Sequence, residues 1–213
     1  MAQRKREWRK VPDVLTAEEQ AALLEQPNPR YPTGERNRLI LRVMLNAGLR
    51  LAETTALSWK DIDLNTGRLE VQQGKGARDR VLWIGDADLE ALREWRERQA
   101  RDVEGTPGHV FTTLEGKPVS NRYVQAMVKR YALKAGIGKN VHPQLLRHTF
   151  ATDIYRDTSS IRLTQKALGH ADLSTTQIYT NIVDEELEGA LKSFATRRSQ
   201  RSATAEAERE GDE

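Results

Sequence analysis

Three short segments between His142 and Tyr179 constrain this chain more than any other part of it. They read H-P-Q-L-L-R-H-T-F-A-T (142–152), A-L-G-H (167–170) and T-T-Q-I-Y-T (175–180). Each carries a side chain suited to a phosphate. Arg147 offers a planar fork for two oxygens, and His170 adds a further donor. Tyr179 carries a hydroxyl able to attack phosphorus and form a covalent ester. Arg50 in G-L-R-L-A-E (48–53) and Lys75 in G-K-G (74–76) complete an Arg–Lys–Arg–His–Tyr set. A fold that brings these segments to one point would surround a phosphate with them.

Composition narrows the class. At 213 residues and 24.2 kDa the chain suits one compact domain with short tails. Charged residues make up 31% and the mean hydropathy is −0.70, which predicts a soluble, heavily charged surface. No apolar run reaches membrane-spanning length and no signal peptide is evident. With no cysteine, disulfide frameworks and thiolate metal sites are excluded, which fits a cytoplasmic protein. The net charge is only +3, yet the 34 Lys and Arg side chains permit a polyanionic partner.

Taken in order, residues 1–12 form a basic arm in which Arg4, Lys5, Arg6, Arg9 and Lys10 face a single acid, Glu7. Such an arm is either a solvated start or a strand that lies along phosphates. Thr16 and Glu19 have capping-box spacing and predict a helix ending near Gln26, before Pro27 and Pro29. Leu39, Ile40, Val43, Met44 and Ala47 predict a helix over roughly 35–48, and residues 51–57 another turn or two. Arg50 falls at that junction, and Glu53 has the spacing to hold its guanidinium. An ordinary surface ion pair is the competing reading for these two.

From Arg68 to Ile84 the period switches to alternation, predicting two strands around Gly74–Asp79. Lys75 lies between two glycines at the turn, and the stretch lacks the Walker pattern. A charged helix over 86–101 and a short strand at 109–111 follow. A helix capped by Ser120 then presents Val124, Met127, Val128 and Tyr131 on one face, with Arg122, Lys129 and Arg130 elsewhere. Helices are expected after Pro143, over 161–168, over 173–179 and over 184–194. The last has a narrow stripe of Leu187, Leu191 and Phe194. From residue 196 the composition predicts a disordered polar tail.

In combination these motifs resemble the catalytic domain of the tyrosine recombinase (phage integrase) family, Xer and lambda-integrase types included, over residues 13–195. The resemblance rests on five fragments in order: G-L-R-x-x-E, G-K-G in a hairpin, L-R-H-T-F-A-T (146–152), L-G-H (168–170) and a tyrosine nine residues beyond that histidine. It implies a mainly α-helical fold with a small antiparallel sheet (α+β), made by 68–84 and the strand near 110. It also implies a site-specific recombinase that breaks and rejoins DNA. Tyr179 would attack the scissile phosphate to give a 3′-phosphotyrosyl link, and Arg50, Arg147 and His170 would bind its oxygens. Lys75 would protonate the leaving 5′-oxygen. No metal or cofactor is implied. Double-stranded DNA is the expected partner, with Arg4, Lys5, Arg6, Arg78, Arg122, Lys129 and Arg130 as candidate contacts. A homotetramer assembled on DNA through Leu187, Leu191 and Phe194 is expected, with an accessory DNA-bending protein as a further candidate partner.

Two departures from the family pattern carry weight. The family places a histidine three residues before the second arginine, where this chain has Gln144, which cannot serve as a general base. His142 stands two residues away, so Gln144, His142 and Glu53 are the auxiliary candidates. Slower cleavage is expected, since base assistance is worth about 10²–10⁴-fold. The second departure is that only about a dozen residues precede the domain, where the family carries a helical core-binding domain. Together they raise a rival reading: a DNA-binding accessory protein on the same fold whose cleavage is weakened or lost.

Overall fold

Seven apolar or small residues between positions 39 and 47 are buried: Leu39, Ile40, Leu41, Val43, Met44, Leu45 and Ala47. A helix apolar on so many sides must lie inside the molecule rather than along its surface. That is the place of α2 (Pro32–Ala47), which packs against α1 (Ala17–Glu25), α3 (Leu51–Ala56), α4 (Asp86–Asp102) and α6 (Pro143–Thr158). The structure, a computed structural model, describes residues 13–72, 80–103, 105 and 107–169. Its remaining elements are β1 (Arg68–Val71), β2 (Arg80–Trp83), α5 (Asn121–Lys134), α7 (Ile161–Leu168) and a single 3₁₀ turn at Trp59–Asp61.

Local chemistry sets the helix ends. Thr16 Oγ1 accepts from the Glu19 amide at 3.2 Å, and the Glu19 carboxylate accepts from the Thr16 amide at 2.9 Å, so both halves of the capping box form. Helix α2 begins before the expected position 35 because Pro32 occupies its first turn, where a missing N–H costs nothing. It stops at Gly48, whose φ of 59° is left-handed. A Cβ at Gly48 would stand 2.1 Å from Cδ1 of Phe150 on α6. Gly48→Ala is therefore expected to lower stability by about 2–3 kcal/mol, from left-handed strain and displacement of Phe150. A thermal melt checks this, and an unchanged midpoint would mean the turn is not held by α6.

The sheet is smaller than expected. β1 and β2 pair antiparallel in the register Arg68 with Trp83 through Val71 with Arg80. The strand expected at 109–111 does not join them. His109 forms an isolated antiparallel bridge with Ser58, and the Val110 amide donates to Leu57 O at 2.8 Å. The Val110 carbonyl accepts instead from the Trp95 indole at 2.7 Å, so side chains of α4 claim the backbone group that a third strand would have used.

Buried polar links fix the surrounding helices. Arg36 on α2 donates to Thr112 O at 2.7 Å and to the Tyr123 hydroxyl at 2.6 Å, while Asn37 Nδ2 donates to the Tyr131 hydroxyl at 3.1 Å. These bonds lock α5 onto α2, with Val124, Met127 and Val128 inward and Arg122, Lys129 and Arg130 exposed. The basic arm, the 73–79 turn, the helices expected over 173–179 and 184–194, and the tail from 196 lie outside the described residues.

Candidate active site

The C-terminal end of α2 is where the distant segments meet. After Gly48 the chain turns so that Arg50 becomes the N-cap of α3 and Glu53 lies in its first turn. The Glu53 carboxylate reaches back to the Arg50 amide at 2.7 Å and accepts from the Arg50 guanidinium at 2.8 Å. Arg80, the first residue of β2, meets the same carboxylate. Its two terminal nitrogens meet the two Glu53 oxygens at 2.9 and 2.7 Å. The Arg147 guanidinium, on α6, stands 3.9 Å from the same carboxylate.

These groups differ sharply in exposure. The Arg50 side chain is 39% exposed, against 10% for Glu53, 3% for Arg80 and 2% for Arg147. The Arg50 side chain is thus left partly open to solvent, whereas Arg147 is built into the interior. Arg147 donates to Gly48 O at the end of α2 and to Leu168 O at the end of α7. Both carbonyls sit at negative helix ends, which favour a cation. The bond to Leu168 also brings the start of the L-G-H motif to Arg147.

One carboxylate facing three guanidinia is held firmly ionised. Burial pushes the Glu53 pKa up, but the Arg80 fork, the Arg50 amide and the charges around it outweigh burial and hold the group at about 2 rather than 4.5.

The auxiliary candidates separate. His142 is the N-cap of α6; its Nδ1 accepts from the Leu145 amide at 3.2 Å and the residue is exposed, so it caps the helix instead of turning inward. Gln144 is exposed one turn before His148, with 3.4 Å between their Nε2 atoms. Burial lowers the His148 pKa, and the charges of Arg147 and His142 lower it further, which keeps the ring neutral near pH 7. Of the five residues expected to form the catalytic set, Arg50 and Arg147 converge on Glu53; Lys75, His170 and Tyr179 lie outside the described residues, as do Arg4, Lys5, Arg6 and Arg78. Among the described residues no group of three or more His, Asp or Glu could hold a metal ion, and no helix is long and apolar enough to cross a membrane.

Sequence reading passed over two residues. Arg80 shares the inward phase of β2 with Leu82 and Ile84, all three buried. An arginine in step with buried aliphatics has to find a carboxylate, and that was the available signal. His148 was hidden by its neighbour Arg147, although its four-residue offset from Gln144 puts the two on one helical face.

A helical domain that gathers these arginines at the end of its central helix, beside a two-stranded hairpin, matches solved recombinase structures. XerA recombinase superposes with a TM-score of 0.74 at 30% identity, covering 87% of this chain and 66% of that one. XerH site-specific recombinase, in a post-cleavage complex with its palindromic difH substrate, gives 0.73 at 31% identity, covering 85% and 53%. The fold is the catalytic-domain fold of tyrosine recombinases. The Phage integrase family model matches residues 13–186, and the chain belongs to that family. Tyrosine recombinase XerC of Xanthomonas axonopodis pv. citri (strain 306) is 42% identical over 174 residues, which is 82% of this chain and 55% of that protein. The chain thus spans just over half the length of that relative.

Proposed function

We propose that this domain breaks and rejoins DNA at specific sites through a covalent tyrosyl intermediate. The observation that carries the reading is that Arg50 and Arg147, remote in sequence, converge on the single carboxylate of Glu53. With Arg80 included, three guanidinia face one carboxylate, and the surplus positive charge suits a phosphate whose non-bridging oxygens gain charge in the transition state. The Tyr179 oxygen attacks phosphorus as its own proton departs. The bond to the 5′-oxygen breaks, and Lys75 supplies the proton that oxygen needs. Arg50, Arg147 and His170 stabilise the oxygens in between. The 3′-phosphotyrosyl ester retains the energy of the broken bond, and attack by a 5′-hydroxyl reverses the step. The named relatives, recombinases of the Xer type, support the same reading.

Double-stranded DNA is the proposed partner. The exposed side of α5, with Arg122, Lys129 and Arg130, supplies cations to its backbone, and Arg4, Lys5, Arg6 and Arg78 extend that contact. Assembly as a tetramer on DNA through Leu187, Leu191 and Phe194 belongs to the same proposal.

The test is a trapping assay on nicked duplexes enriched from a random pool by the protein's own binding. Wild type is expected to give a covalent adduct on a denaturing gel, and Tyr179→Phe none. Gln144→His is expected to raise the adduct rate by about tenfold, a part of what general-base help provides. Binding without adduct from any tyrosine-bearing form would replace this reading with the accessory-protein one, which the glutamine at 144 favours.

A further inference from the structure

We propose that Arg80 is a positioning residue for cleavage: it takes up the charge of Glu53, so that Glu53 can orient Arg50 without cancelling it. The inference rests on the proposed strand-cleaving reading and deepens it.

The argument starts from stoichiometry. Were Arg50 the sole partner of Glu53, the pair would be neutral and the guanidinium would offer a phosphate little net charge. Arg80 changes that balance. Its fork lies flat against both carboxylate oxygens, at 2.9 and 2.7 Å, the geometry of the strongest side-chain ion pairs. Its side chain is 3% exposed and both of its terminal nitrogens are engaged by Glu53, so this guanidinium is committed to the carboxylate. Its Nε is also buried, with no hydrogen-bond partner among the described residues, which leaves Glu53 as the group that holds this cation. Arg50 meets the same carboxylate with one terminal nitrogen and its own amide, and its side chain stays 39% exposed. Arg80 thus balances the charge of Glu53, and Arg50 and Arg147 remain as the net positive groups.

Placement adds a second consequence. Arg80 opens β2 and pairs with Val71 of β1 across the sheet. The ion pair with Glu53 therefore ties the start of β2 to α3.

Two measurements test this. The first needs no activity: the Glu53 side-chain carboxyl, assigned by ¹³C NMR, is followed against pH. Its midpoint near 2 in wild type is expected to rise by at least one unit in Arg80→Met, and by less in Arg80→Lys, whose single ammonium cannot fork. The second is the rate of adduct formation on the nicked duplex. Arg80→Lys is expected to be slower by about tenfold and Arg80→Met by about a hundredfold, with DNA affinity nearly unchanged. Because Arg80 acts through Arg50, the double variant Arg50→Ala/Arg80→Met should be no slower than Arg50→Ala alone.

An unmoved Glu53 midpoint overturns the proposal whatever the activity. So does a double variant in which the two losses multiply. A wild type that forms no adduct, while its Glu53 midpoint still depends on Arg80, sinks the cleavage reading and leaves the charge balance standing.

Discussion

Replacing Glu53 with alanine is expected to lower the unfolding free energy by about 3–5 kcal/mol, the cost of leaving a buried charge without its partner. The stranded charge is Arg80, 6% exposed over the whole residue and, among the described residues, forked onto Glu53. Arg50 loses its tether as well, but its side chain is partly open to solvent, so most of the loss falls on Arg80. The pH dependence follows from the same contacts. In the folded chain Glu53 titrates at about 2, below its ordinary 4.5, so folding favours the ionised form. Its contribution is complete above pH 4.5, falls as the pH drops, and is gone once the pH has passed through 2. Fully developed, a shift of that size is worth about 3 kcal/mol. Urea unfolding at pH 6 and pH 3 should show wild type losing more stability than Glu53→Gln between the two. Parallel losses in both proteins would mean that Glu53 is not the group whose protonation matters there.

Much of the fold was legible because its signals are local. The Thr16–Glu19 box, Gly48, Ser120 and the apolar steps of α2 and α5 each act within a turn or two, and those helices form where these signals put them, except that α2 starts earlier than expected, at Pro32. The failure at 109–111 is of another kind. Val110 and Phe111 read as a strand because they are adjacent apolar residues, and both are fully buried. Which backbone partner they take was decided by Trp95 and Gln99, residues of α4 whose polar atoms reach the Val110 carbonyl. Alternation along a single segment cannot reveal a competitor on another element.

The site divides along the same line. The spacing of Arg50 and Glu53 on one helical turn can be read directly, and their contact forms at 2.8 Å. That Arg80 completes the carboxylate depends on how β2 packs against α3, which no spacing encodes. The depth of Arg147 was equally hidden. An arginine one turn into a helix reads as an anion ligand at a positive helix end. Here it is 1% exposed and spans two negative ones.

That depth makes Arg147 the second position of large expected effect. Its guanidinium bridges Gly48 O and Leu168 O, so it joins the ends of α2 and α7 while lying 3.9 Å from the Glu53 carboxylate. Alanine at 147 would remove two charge-assisted bonds, strand two carbonyls and open a cavity the size of the lost side chain. A loss of about 4 kcal/mol is expected by denaturant unfolding. Arg147→Lys keeps the charge but cannot span both carbonyls, so about half that loss is expected. Adduct formation, measured at a temperature where the lysine variant is still folded, should fall by about 10²–10³-fold, the scale seen when one preorganised donor to a developing oxyanion is removed. The two readouts separate the roles. Loss of stability with cleavage intact would make Arg147 a strut between two helix ends and leave Arg50 as the phosphate ligand of the pair. Loss of both places a single buried cation in two tasks, closing the fold around the site and holding the charge that the site exists to bind.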